Sequence, residues 1–202
     1  DILVNNAGIL RDKSFKNMSL DDWDLVMNVH LNGTAYVTHA AWPVMYAKNY
    51  GRILFTSSTS GIFGNFGQAN YGAAKMGMIG LMNVLSIEGA SHNIKVNTLA
   101  PAAATRLTNT IPGVEEDLSN PDPARAPGLV TPAVLFMCRD DAPTNKIIMA
   151  SGGNFAIAGI FKNDGVAYGV DASLERLLAD EDKLLDMGAA REGWNRAGSA
   201  AR

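Results

Sequence analysis

Three short apolar runs, at residues 1–4, 52–57 and 94–99, are separated by two long stretches whose apolar residues recur at helical spacing. That alternation constrains the fold more than any other feature. A strand followed by a helix and then another strand needs a crossover long enough to return parallel. Ser19 with Asp22 resembles a helix N-terminal capping pair. The stretch after it places Trp23, Val26, Met27, Val29, Leu31, Tyr36, Val37 and Ala40 at intervals suited to one buried face. Pro43 is expected to kink or interrupt this helix, and Gly51 to follow its end. A second helix is expected over residues 70–91, rich in Ala, Met, Leu and Gly. A helix near 131–139, a strand at 146–150 and an amphipathic helix over 171–187 follow. The rhythm is that of an α/β doubly wound parallel sheet.

The chain's 202 residues suit a single domain, 1–202, with one core. Two segments stand apart. Residues 105–132 hold five of the eight prolines beside Glu115, Glu116 and Asp117, a surface linker or a lid over a substrate. Residues 188–202 are small and polar, a flexible tail. Net charge is −3, with a pI near 5.6 and no basic cluster, which argues against nucleic acid. No apolar run approaches the roughly 20 residues that span a bilayer, so no membrane partner is expected. A lone cysteine, Cys138, fits a reducing compartment, and a cytoplasmic location is expected. His39 and His92 have no metal-ligand spacing with other residues, so no metal is expected.

The chemistry concentrates in residues 58–75. Ser58 ends the second apolar run, Tyr71 lies thirteen positions on, and Lys75 four further. Residues four apart on a helix share a face. An ammonium beside a phenol favours the phenolate, turning a group with a pKa of about 10 into a usable base. Gly61, Gly64 and Gly67 form a loop able to fold Ser58 back toward the same substrate oxygen. Such a site removes a proton from an alcohol or returns one to a forming alkoxide. Phe63 and Phe66, between the serine and the tyrosine, suit an apolar wall for an acyl chain.

These residues, with the run Asn5-Asn6-Ala7-Gly8 and the run from Asn97 to Pro101, resemble the short-chain dehydrogenase/reductase family. They correspond to its N-N-A-G, Ser…Tyr-x-x-x-Lys and N-x-x-x-P motifs in order and register. The wording around residues 51–75 is most similar to (3R)-hydroxyacyl-CoA dehydrogenases, the dehydrogenase part of peroxisomal multifunctional enzyme type 2 and its bacterial relatives. The resemblance implies a Rossmann-like fold and NAD or NADP as cofactor, with NAD favoured. It implies catalytic roles for Ser58, Tyr71, Lys75 and His30, and a 3-hydroxyacyl thioester as substrate, held by Ser58, Phe63, Phe66 and Tyr71. Asn6, Ala7, Gly8, Tyr71, Lys75, Pro101, Ala102 and Ala104 would face the cofactor.

The sequence departs from the family in three ways. The family's first half, with its glycine-rich phosphate turn, is not in this chain, which is expected to be the C-terminal portion only and to leave one side of the sheet exposed. His30 stands where most members have a catalytic Asn whose main-chain carbonyl holds a relay water; it is either a core histidine or part of that relay. Ala102 replaces the glycine after the proline, and Thr105 and Thr108 are the nearest to the expected threonine. The alternatives kept open are a carrier-protein thioester, a steroid or a sugar alcohol as substrate, or a non-catalytic nucleotide-binding scaffold. A homodimer or homotetramer is expected, packed through small residues such as Gly72, Ala73, Gly77 and Gly80.

Overall fold

The structure is a computed structural model and describes residues 1–108, 117–119 and 122–193. Two compact units emerge, Asp1–Ala158 and Gly159–Arg202. The first carries a five-stranded sheet in the order β1 (Ile2–Asn5), β2 (Gly51–Thr56), β3 (Ile94–Ala102), β4 (Ile147–Ser151), β5 (Asn154–Ala158). The first four strands run parallel, and β5 returns antiparallel along β4. Helices α1 (Leu20–Met27), α2 (Gly33–Lys48), α3 (Thr59–Phe63), α4 (Ala69–Glu88) and α5 (Thr131–Cys138) make the connections. The result is the expected mostly parallel, Rossmann-like arrangement.

Strand alternation splits the core into two layers. Ile53 and Phe55 of β2 join Met45, Met78, Ile79, Met82 and Val96 under α2 and α4. Leu54, between them, faces the other way with Leu99, Ile148, Ala133 and Met137 beneath α5. Every residue of β2 is buried, as a central parallel strand requires. The edge strand β1 is different: Ile2 is 55% and Val4 43% exposed. Its other face is tied down, Asn5 donating to Thr38 Oγ1 at 3.1 Å.

Pro43 lies inside an unbroken α2, so it does not interrupt the helix. The irregularity is upstream, a π turn at Asn28–Asn32 in which Gly33 N–H bonds the Asn28 carbonyl. One extra residue per turn at that point is a device often found at functional sites. Asn49, in the left-handed conformation, ends α2, and Gly51 already belongs to β2. Ser19 does cap α1, accepting from the Asp22 N–H at 3.1 Å.

The second unit has a two-residue pairing of β6 (Phe161–Lys162) with β7 (Arg191–Glu192). The single helix expected over 171–187 is instead α6 (Leu174–Ala179) and α7 (Glu181–Leu185). Asp180 separates them, its carboxylate accepting from Tyr168 and Lys183. The expected tail at 188–202 thus contains a paired strand at Arg191–Glu192, and residues 194–202 lie outside those described. Of the segment expected as linker or lid, residues 109–116, 120 and 121 lie outside as well.

Candidate active site

Strand β2 delivers Thr56 to the C-terminal edge of the sheet, and the chain turns there through Ser57 and Ser58. Ser57 is fixed twice, its N–H on the Leu99 carbonyl at 2.7 Å and its hydroxyl on the Lys75 carbonyl at 2.8 Å. Ser58 caps α3, accepting from the Ser60 N–H at 3.1 Å. Gly61 lets α3 lie directly on α4: a Cβ there would fall 2.8 Å from Lys75 Cβ and 2.9 Å from the Met76 backbone nitrogen. This close approach is what brings Ser58 against the face of α4 that carries Tyr71 and Lys75.

Tyr71 is buried, its ring edge-on to His30 with centroids 5.1 Å apart. Hydrogen bonding from Ser58 lowers the phenol's pKa, but burial raises it more, and the Asp12 carboxylate pushes the same way. The phenol therefore sits above its ordinary value. This reverses the electrostatic expectation drawn from the sequence. Lys75 Nζ lies 5.2 Å from the ring centroid and donates to the Thr56 carbonyl at 2.5 Å. Burial brings the ammonium down to about 8, so it remains charged at neutral pH. It has two further donor protons for a ligand.

His30 occupies the middle of the π turn and is fully buried. Its Nε2 is 2.7 Å from the Ile9 carbonyl and 3.0 Å from the Ile9 nitrogen, which pins the segment that follows Gly8. Gly8 packs directly on the imidazole, since a Cβ there would lie 2.5 Å from His30 Cε1. Nδ1 is buried without a partner among the described residues. Burial, and then repulsion from Lys75, lower the imidazole to about 4. Its folded pKa is thus below the unfolded 6.5, and the folded state binds fewer protons between the two. Stability is fully kept above pH 6.5 and falls as the pH drops toward 4, by roughly 3 kcal/mol from this group. Denaturant unfolding at pH 7 and 4 should show that loss in the parent and a smaller one in His30→Gln. Equal losses would contradict it.

A cavity of about 980 Å³ opens over these groups, with Asn6, Ala7 and Gly8 along one wall and Pro101 and Ala102 along another. Asn6 accepts from Thr56 Oγ1 at 3.0 Å. Ala103 lines the cavity where Ala104 was expected; Ala104 is buried, its N–H on the Arg125 carbonyl at 2.8 Å. Asn97 is a strut rather than a lining residue, donating to the Pro143 carbonyl and accepting from the Lys146 N–H. Thr105 and Thr108 both line the cavity and bond each other. Phe63 and Phe66 do not line it. They are 69% and 91% exposed, because α3 ends at Gly64 with a positive φ that turns the chain outward. Arg11, Asn65, Gln68 and Arg125 line the cavity and went unremarked in the sequence, where no motif links them.

The donor set fits one end of a nicotinamide dinucleotide. A buried lysine with free protons suits a ribose diol, and the volume accepts a ring with a small substrate. No described residues form a glycine-rich phosphate turn.

Comparison with known proteins agrees with this geometry. A short-chain type dehydrogenase/reductase of Mycobacterium tuberculosis is 43% identical over 192 residues, covering 94% of this chain and 65% of that protein. Peroxisomal multifunctional enzyme type 2 of Mus musculus is 54% identical over 145 residues, 72% of this chain and 19% of that one. An acetoacetyl-CoA reductase of Allochromatium vinosum is 40% identical over 162 residues, 77% of this chain and 66% of that one. The chain thus spans less than two thirds of the length of the first two relatives. The solved full-length peroxisomal multifunctional enzyme type 2 from Drosophila melanogaster superposes with a TM-score of 0.82 at 37% identity, covering 98% of this chain and 36% of that one. With a family model described as short chain dehydrogenase also matching residues 1–116, the chain belongs to the short-chain dehydrogenase family.

Proposed function

We propose that this chain carries the proton-handling half of an oxidoreductase acting on a secondary alcohol or ketone, with a 3-hydroxyacyl-CoA as the substrate and NAD as the cofactor. The observation that carries this reading is Tyr71, a buried phenol beside Ser58 and Lys75 at the wall of the cavity. Ser58 Oγ donates to the substrate oxygen and fixes it. Tyr71 Oη takes the proton from that oxygen in oxidation and gives it back in reduction. Lys75 holds the ribose and offsets charge on the phenolate. The nicotinamide, when bound, supplies the hydride acceptor or donor at the substrate carbon. The relative named acetoacetyl-CoA reductase supports a thioester of coenzyme A.

The test is turnover by the full-length protein, followed by nicotinamide absorbance, with 3-hydroxybutyryl-CoA, the matching carrier-protein thioester, a hydroxysteroid and a sugar alcohol. The CoA thioester with NAD is expected to give the highest kcat/KM. Preference for another substrate, or no turnover with any, would overturn the assignment.

We also propose a homodimer through the outer face of α4, where Ala73, Met76, Gly80, Val84 and Ile87 recur at helical spacing and stay exposed. Gly72 and Gly77 face inward instead, onto Ser60 and Leu31. Light scattering should give twice the chain mass for the parent and a smaller species for Val84→Glu. A parent monomer at micromolar concentration contradicts this.

A further inference from the structure

The segment that leaves β1 and the loop that precedes α4 are sewn together beside the cavity. Lys13 N–H donates to the Gly67 carbonyl at 2.9 Å, and the two segments form a parallel bridge at Lys13 and Gln68. Asn70, fully buried, donates to the Arg11 and Asp22 carbonyls, both at 3.2 Å, while its oxygen accepts from the Tyr71 N–H at 2.7 Å. The side-chain member of this seam is Asp12. Its Oδ2 accepts from Gln68 Nε2 at 2.7 Å, and Gln68 in turn accepts from Asn65 Nδ2 at 3.0 Å. Asn65 and Gln68 line the cavity with Ser58 and Tyr71.

Asp12 is an odd choice if only a brace were needed. Its second oxygen, Oδ1, is buried with no hydrogen-bond partner among the described residues. A neutral amide would make the same bond to Gln68 with less to desolvate. A carboxylate in that position adds one thing, a negative charge, which after burial is a second cause holding the Tyr71 phenol above its ordinary value. The other groups facing Tyr71 are Ser58, neutral His30 and cationic Lys75. Asp12 itself is faced by uncharged Gln68, with its chain neighbour Arg11 drawn toward Asp22 at 3.8 Å.

We propose that Asp12 is a positioning residue of this site: through Gln68 it clamps the loop that bears Asn65 against the segment after β1. Its charge adds a bias of Tyr71 toward the neutral phenol. The free site is thereby set to give a proton to a carbonyl oxygen. It becomes a base when further positive charge joins that of Lys75 beside the phenol. The inference rests on Tyr71 being the proton-transfer group, but its test reads the phenol itself.

Carbon-13 labelling of the tyrosine ring carbon that bears oxygen gives one resonance per tyrosine, with Tyr71 assigned by its loss in Tyr71→Phe. In Asp12→Asn, which can still accept from Gln68, the Tyr71 midpoint should move to lower pH, and the kcat/KM–pH limb should move with it. An unmoved midpoint overturns the proposal. If Asp12→Asn fails to fold, the parent decides: the Tyr71 resonance must show a second inflection coinciding with the Asp12 carboxyl titration, and its absence overturns the proposal equally. Gln68→Ala keeps the charge and loses the clamp, so KM should rise about tenfold with kcat nearly unchanged; an unchanged KM overturns the clamp. A shifted phenol in a protein that turns over nothing upholds this proposal and removes the enzyme assignment alone.

Discussion

Replacing Tyr71 by Phe is expected to lower kcat/KM by about 10²–10⁴-fold, the range for a positioned acid–base group, while the protein stays folded. The substitution removes one oxygen and nothing else. The ring remains to pack edge-on against His30, and α4 keeps its buried face. Ser58 keeps its bond from the Ser60 N–H, so the turn at the head of α3 stays formed. KM should move little, because the lost hydroxyl acts on the substrate oxygen chiefly as the proton transfers. The check is steady-state kinetics beside circular dichroism and a melting curve. A variant that melts normally and turns over within about tenfold of the parent would remove Tyr71 from the chemistry.

The largest effect on stability is expected at the opposite end of the sheet. Arg52 is only 1% exposed. Among the described residues no carboxylate meets it; carbonyl oxygens do. Nε donates to the Arg139 carbonyl at 2.9 Å, and one terminal nitrogen reaches the Gly51 and Asn93 carbonyls, both at 2.7 Å. The other bonds the Asp140 carbonyl, and Tyr50 covers the guanidinium at 4.3 Å. One planar fork therefore joins β2, the turn before β3 and the exit from α5. Arg52→Met would leave those largely part-buried carbonyls without their donor, costing about 3–5 kcal/mol in all at about 1–3 kcal/mol for each acceptor left unsatisfied. For a protein of this size that lowers Tm by roughly 10 °C. Arg52→Lys should recover little, because a point charge cannot reach the same set of oxygens. Thermal unfolding of both variants checks this. A Tm for Arg52→Met within about 2 °C of the parent would show that water satisfies the stranded groups.

The sequence was most legible where period and punctuation agree. The apolar run of β2 and the small residues of α4 announced themselves, and Ser58, Tyr71 and Lys75 come together because α3 and α4 are held close by Gly61. Pro43 does not interrupt α2, since it stands on the exposed side and the helix runs through it. The π turn at Asn28–Asn32 was hidden because helical spacing tolerates one inserted residue. Strand β5 was missed although its signal is local. Gly152 and Gly153 both have positive φ, a two-residue turn that makes a hairpin of β4 and β5.

The electrostatics of the site could not be read from spacing alone. One turn of helix puts Lys75 near Tyr71, but burial raises the phenol more than the Ser58 hydrogen bond lowers it. Burial is a property of everything packed around α4. Asp12 and Gln68, 56 positions apart, meet only because the segment after β1 lies along the loop before α4. No motif joins them.

The central claim is that this site takes the hydroxyl proton while the hydrogen on the same carbon leaves as hydride. The most direct measurement follows that hydrogen. With 3-hydroxybutyryl-CoA deuterated at C3, NAD and the full-length protein, deuterium should appear at C4 of the reduced nicotinamide, and Tyr71→Phe should nearly abolish the transfer. Deuterium that stays on the thioester, or that transfers equally well without the phenol, would contradict the account.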